Sequence, residues 1–206
     1  MGRALTVDEL TSKKFKTMKF TGPFADSFGI EVDTSGSWII YGESGHGKTE
    51  FSLQLAKYLT NYGKVAYDTI EEGARLSFQK AIKRQAFQPA EKRRFSIISE
   101  PIEELRLRLK RQKSPDIIFI DSLQFSLLTK VSYNKLVAEF PRKLFIWISH
   151  AEGRKPRGSF AEYVEYHSDM KIRVEGFRAI PKGRFEASKD FIINEALSSK
   201  YWNEII

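Results

Sequence analysis

From Trp38 onward the chain alternates between short apolar runs and amphipathic stretches. Trp38, Ile39, Ile40 and Tyr41 predict a buried strand. Phe51, Leu55, Tyr58, Leu59 and Tyr62 recur at helical spacing and predict a helix over 48–61. Val65–Thr69 predicts a second strand, 71–85 a second helix and Phe95–Ile98 a third strand. Pro101 stands where a helix should start, with Ile102, Leu105 and Leu109 as its apolar side. Residues 117–120 and 144–148 predict a fourth and a fifth strand. None of these runs alternates with polar residues, so each strand is expected to be covered on both faces, as in a parallel sheet between helix layers. The alternation predicts an α/β fold with right-handed crossovers.

After residue 168 the pattern changes. Residues 170–174 and 177–180 flank Glu175-Gly176 and predict a C-terminal hairpin that finishes the sheet. Residues 190–203 predict a last helix. Residues 1–27, rich in Lys and Thr and ending in the turn-prone Thr21-Gly22-Pro23, read as an N-terminal extension of a single domain spanning 28–206. Phe15, Phe20, Phe24 and Phe28 are available to dock that extension onto the core or onto a neighbouring subunit.

Composition narrows the class. With 206 residues the chain has room for one sizeable core. It has no cysteine, which excludes a disulfide framework and Cys-ligated zinc and suits a reducing compartment. His46, His150 and His167 are too far apart to read as a zinc pair. No apolar run approaches a membrane span and the first twenty residues lack a signal-peptide core, so the expectation is a cytoplasmic protein with no membrane partner. The net charge of +8 favours polyanions, and is equally that of a basic surface without a partner.

The candidate chemistry lies after the first strand. Residues 42–49, Gly-Glu-Ser-Gly-His-Gly-Lys-Thr, fit G-x-x-x-x-G-K-[ST] at every position. Gly42, Gly45 and Gly47 let the backbone wrap so that successive N–H groups form one nest for phosphate oxygens at a helix N-terminus. Lys48 is placed for the β- and γ-phosphates and Thr49 for magnesium. The expected ATP contacts are Gly42, Glu43, Ser44, Gly45, His46, Gly47, Lys48, Thr49 and Glu50, with the His46 side chain turned outward. Asp121 ends the fourth strand, taken to lie beside the first. There an acidic residue makes a second magnesium contact. Glu71 and Glu72 follow the second strand. A carboxylate there orients and deprotonates an attacking water, or simply favours the first turn of a helix.

With these parts in this order, the stretch from Trp38 to Arg184 resembles the RecA-like ATPases, a family that includes RecA-type recombinases and the motor domain of DnaB-type helicases. The resemblance implies a three-layer P-loop NTPase with a mostly parallel sheet, and hydrolysis of ATP with Mg2+. It implies Glu71 as the catalytic glutamate and Asp121 as the metal aspartate. His150 stands where the family commonly has a γ-phosphate-sensing glutamine. Arg154, Lys155 and Arg157 fall where it has a mobile DNA-contacting loop, and Phe125 and Tyr133 in the other DNA-facing segment, with core packing as their alternative. Lys182 and Arg184 are similar to a trans-acting Lys-x-Arg pair, and equally read as exposed cations. The implied partners are single- or double-stranded DNA, or RNA, and further copies in a ring or filament. No helicase N-terminal domain, zinc finger or helix-hairpin-helix accompanies the core. A P-loop kinase of a small metabolite and a slow ATP-dependent switch are the alternatives on the sequence.

Overall fold

A computed structural model describes residues 4–71, 73, 75–183 and 189–203. Two short helices, α1 (Val7–Thr11) and α2 (Gly22–Phe28), bracket strand β1 (Thr17–Lys19), and β2 (Glu31–Asp33) pairs with β1. Strand β3 (Gly36–Gly42) leads into α3 (Lys48–Leu59), β4 (Val65–Thr69) into α4 (Leu76–Arg84) and the single turn α5 (Pro89–Lys92). β5 (Phe95–Ile98) precedes α6 (Ile102–Leu109), and β6 (Ile117–Asp121) runs through a 3-10 turn at Leu123–Phe125 to α7 (Lys130–Glu139). β7 (Leu144–Glu152), β8 (Lys155–Pro156) and α8 (Ser159–His167) follow. The chain then adds β9 (Met170–Glu175), β10 (Arg178–Gly183), β11 (Phe191–Ile192) and α9 (Glu195–Asn203).

The main sheet has the order β11-β10-β9-β3-β7-β6-β4-β5, with β8 paired to β7 off that path. The pairs from β5 to β9 are parallel, and β8, β10 and β11 are antiparallel additions. Trp38 and Ile40 belong to one apolar cluster with Phe51, Leu55 and Phe78 of α3 and α4, whereas Ile39 and Tyr41 belong to another with Leu105, Tyr133 and Val164 of α6, α7 and α8. Alternate side chains of β3 thus feed two cores, which is why its sequence shows no polar alternation. The result is a three-layer α/β fold with a mostly parallel sheet.

Several sequence expectations are corrected. The strand ending in Asp121 is not beside the P-loop strand: β7 lies between β3 and β6. The second helix begins at Leu76 and not at 71, because the chain first turns at Gly73 with φ +62°. Helix-dipole stabilisation therefore does not account for Glu71. The last segment is split, with Phe191–Ile192 in the sheet and the helix starting at Glu195. Residues 151–160 form no long loop: β7 reverses at Gly153 (φ +61°) into β8, and α8 starts at Ser159.

The aromatics before β3 divide by burial. Phe20 and Phe28 are core residues, Phe24 stacks on Tyr58 of α3, and Phe15 is exposed. Tyr133 is buried on α7, where its hydroxyl meets Ser37 Oγ at 2.8 Å, and Trp147 Nε1 donates to the same oxygen at 2.9 Å. Phe125, on the 3-10 turn, stays half exposed. Among the described residues no helix is long and apolar enough to cross a membrane.

Candidate nucleotide-binding site

The chain turns between β3 and α3 with Gly45 at φ +83° and Gly47 at φ +96°. Glycine is required at Gly47 twice over, since a Cβ there would stand 2.9 Å from the Phe177 ring. At Gly42 a Cβ would run into the Val174 carbonyl of β9. Among the described residues no side chain caps α3 at its N-terminus. Its first amide groups therefore have only solvent or a ligand to satisfy them.

Lys48 opens α3 and is partly buried. Its Nζ donates to the Glu43 carbonyl at 2.9 Å, folding the side chain back across the loop. Burial lowers its pKa from the ordinary lysine value, opposed by the charges of Asp121, Glu71 and Glu43. Thr49 and Glu50 line the same cleft, of about 560 Å³, with Ser44, Gly45, Gly47, Glu71, Asp121 and His150. Glu50 accepts from Arg84 at 2.9 Å and from Gln85 at 2.5 Å.

Asp121 reaches this cleft from two strands away, where its carboxylate accepts from Tyr67 at 2.7 Å. The Glu71 amide donates to the Asp121 carbonyl at 3.1 Å, tying the turn after β4 to the end of β6. The Asp121–Ser122 peptide bond is cis. His150 stands in β7, paired in register with Gly42. Its Nε2 lies 3.2 and 3.1 Å from the two carboxylate oxygens of Glu71. Behind it, Gln124 accepts from the His150 amide at 3.3 Å and donates to Ser149 Oγ at 2.8 Å and to the Arg157 carbonyl at 3.2 Å.

Other sequence candidates lie elsewhere. The His46 side chain turns out of the cleft: its Nδ1 accepts from the Gly176 amide at 3.2 Å, and its ring meets Tyr201 edge-on. Lys182 is not in the nucleotide cleft of its own chain; it is exposed on β10 opposite Lys171, toward the other end of the sheet. Arg184 and Glu72 lie outside the described residues. Arg154, Lys155 and Arg157 are exposed on the β7–β8 hairpin, and the Arg157 amide donates to the His150 carbonyl at 2.9 Å.

The cleft also contains residues that sequence reasoning missed. Arg84 comes from the last turn of α4, where a cation reads as a solvated helix end. Phe177, Asn194 and Leu197 close the opposite wall. Phe177 has φ +59° and directly follows Gly176. The Glu175-Gly176 turn was the available signal, but it does not say that its tip reaches the P-loop.

The donor set suits magnesium. Thr49 and Asp121 place hard oxygens in the cleft, which the ion prefers. Among the described residues no group of three or more His, Asp or Glu could hold a metal alone. That fits an ion shared with nucleotide phosphates, the usual habit of Mg2+.

The strand order, the P-loop between β3 and α3 and the antiparallel C-terminal additions define a RecA-like P-loop fold. Known structures with this architecture include the flagellar accessory protein FlaH from Methanocaldococcus jannaschii, 19% identical with a TM-score of 0.56 over 75% of this chain and 83% of that one. A helicase ATPase domain is 15% identical with a TM-score of 0.53, covering 76% and 80%. The ATP synthase subunit NeqB from Nanoarcheaum equitans is 10% identical at a TM-score of 0.54, with 79% of this chain on 51% of that one. No protein-family model matches the sequence, and no curated protein matches it.

Proposed function

We propose that this chain binds ATP with Mg2+ and hydrolyses it. The observation that carries this reading is the convergence of Lys48, Thr49, Glu71, Asp121 and His150 on one cleft at an uncapped helix N-terminus. The first amides of α3 and Lys48 hold the phosphates, Thr49 and Asp121 the metal. The ion, when bound, neutralises charge on the β- and γ-phosphate oxygens. Glu71 takes a proton from a water whose oxygen bonds to the γ-phosphorus. The bond from that phosphorus to the bridging oxygen breaks, and ADP leaves with the bond's electron pair. Such chemistry asks mainly for positioning, which suits a site built from strand ends.

The hydrolysis is coupled to nucleic acid in an oligomer. The cations Arg154, Lys155 and Arg157 on the hairpin rooted at His150, together with the net charge of +8, support that reading. Lys182 and Arg184 serve, in this reading, a neighbouring copy. The test is ATP turnover with and without single-stranded DNA, alongside particle mass in solution. Release of inorganic phosphate with no phosphorylated acceptor is expected, with turnover rising on DNA. A phosphorylated small molecule would favour a kinase, and a DNA-indifferent monomer would remove the nucleic-acid and oligomer part.

A further inference from the structure

His150 Nε2 has one hydrogen at most, in either tautomer and in the protonated ring. Here it stands against both carboxylate oxygens of Glu71. The same nitrogen faces the cleft that holds Lys48 and Thr49. One donor cannot serve Glu71 and a phosphate oxygen at once. We infer that His150 restrains Glu71 while the cleft is empty, and that a third phosphate releases Glu71 by drawing His150 away. The inference rests on the reading of this cleft as an ATP site. It adds that the two residues exclude one another, so that part of the difference between ATP and ADP binding is set by their contact.

The surroundings favour a two-position device. Glu71 is fixed through its own amide to the Asp121 carbonyl at 3.1 Å, so the carboxylate can rotate without the turn moving. The main chain of His150 is gripped on both sides, by Gln124 at its amide and by the Arg157 amide at its carbonyl. The ring therefore swings about a held backbone. Gln124 also holds the Arg157 carbonyl, so the ring's anchor and the exposed β7–β8 hairpin form one hydrogen-bonded unit. A ligand that shifts the hairpin shifts the point from which His150 chooses between its two acceptors. Linkage makes the coupling reciprocal: whatever weakens the His150–Glu71 contact strengthens binding of the triphosphate.

The experiment is a double-mutant cycle on nucleotide affinity. Calorimetry with Mg2+ and either ATPγS or ADP is run on the wild type, Glu71→Ala, His150→Ala and the double variant. The expectation is that Glu71→Ala tightens ATPγS roughly fivefold or more while ADP is little changed. That gain should vanish when His150 is absent. An equal gain in both backgrounds would mean that Glu71 acts on the phosphate through its charge alone, and would overturn the inference, as would no gain at all. Where His150→Ala compromises folding, His150→Phe fills the space without a donor and completes the cycle. Failure of the wild type to bind ATPγS is a different result, and removes the nucleotide reading itself.

Discussion

Two turns leave the same edge of the sheet from adjacent strands and do opposite things. Gly42 and His150 are register partners in β3 and β7. Beyond Gly42 the chain wraps inward through Gly45 and Gly47 to an uncapped helix N-terminus. Beyond His150 it continues outward as a ribbon, reverses at Gly153, and carries Arg154, Lys155 and Arg157 into solvent. The first turn offers main-chain donors fixed in a concave surface, which match a small, dense anion. The second offers long side chains on a protrusion, which match an anion whose charge is spread over a length. Glycine content does not separate the two; the location of the glycines relative to the strand end does.

The contrast can be broken most decisively at Lys48. Lys48→Ala is expected to lower ATP turnover about 1000-fold, as loss of a charge on the transferring phosphoryl group does; normal phosphate release by this variant would end the assignment. Glu71→Gln should lower turnover about 100-fold, the scale of a positioned general base, while calorimetry still detects ATP. If ATP binding disappeared with turnover, Glu71 would be holding the cleft together and not the water.

The two turns should also differ in their tolerance of a methyl group. Gly42→Ala drives a Cβ into the Val174 carbonyl and should cost about 3 kcal/mol. Gly153→Ala meets nothing within 4 Å but has φ +61°, so only backbone strain of about 1 kcal/mol is expected. Urea titrations of the two variants check the ranking, and equal costs would mean the P-loop relaxes more easily than its packing indicates. The smallest effect is reserved for the outward turn. Arg154→Ala should leave fewer phosphate contacts and reduce the salt dependence of DNA binding by a slope of about one. An unchanged slope would take Arg154 out of that surface.

What was readable in the sequence followed the range of the interactions that produce it. The P-loop turn is local: glycines at 42, 45 and 47 and the following helix specify it without outside help. Strands β3, β4, β6 and β7 were readable because burial on both faces leaves unbroken apolar runs. Strand order was not, since placing β7 between β3 and β6 depends on pairing across more than a hundred residues. Helices α7 and α8 were missed because each buries few residues. Tyr133 and Leu136 in one, and Ala161 and Val164 in the other, are too sparse to stand out as a stripe. Arg84 looked like any basic helix end. The Glu71–His150 contact joins positions 79 apart in sequence, and no local pattern carries it.

The C-terminal helix leans on the tip of the β9–β10 hairpin. Trp202 Nε1 donates to the Gly176 carbonyl at 3.2 Å, and the Arg178 guanidinium sits 4.9 Å over its ring. The next residue along the tip, Phe177, is a wall of the nucleotide cleft. The other two tryptophans, Trp38 and Trp147, are sealed in the core. One indole out of three thus occupies a place where filling the cleft alters its electrostatic surroundings. Emission from the unlabelled protein becomes an optical gauge of occupancy, read without any attached dye.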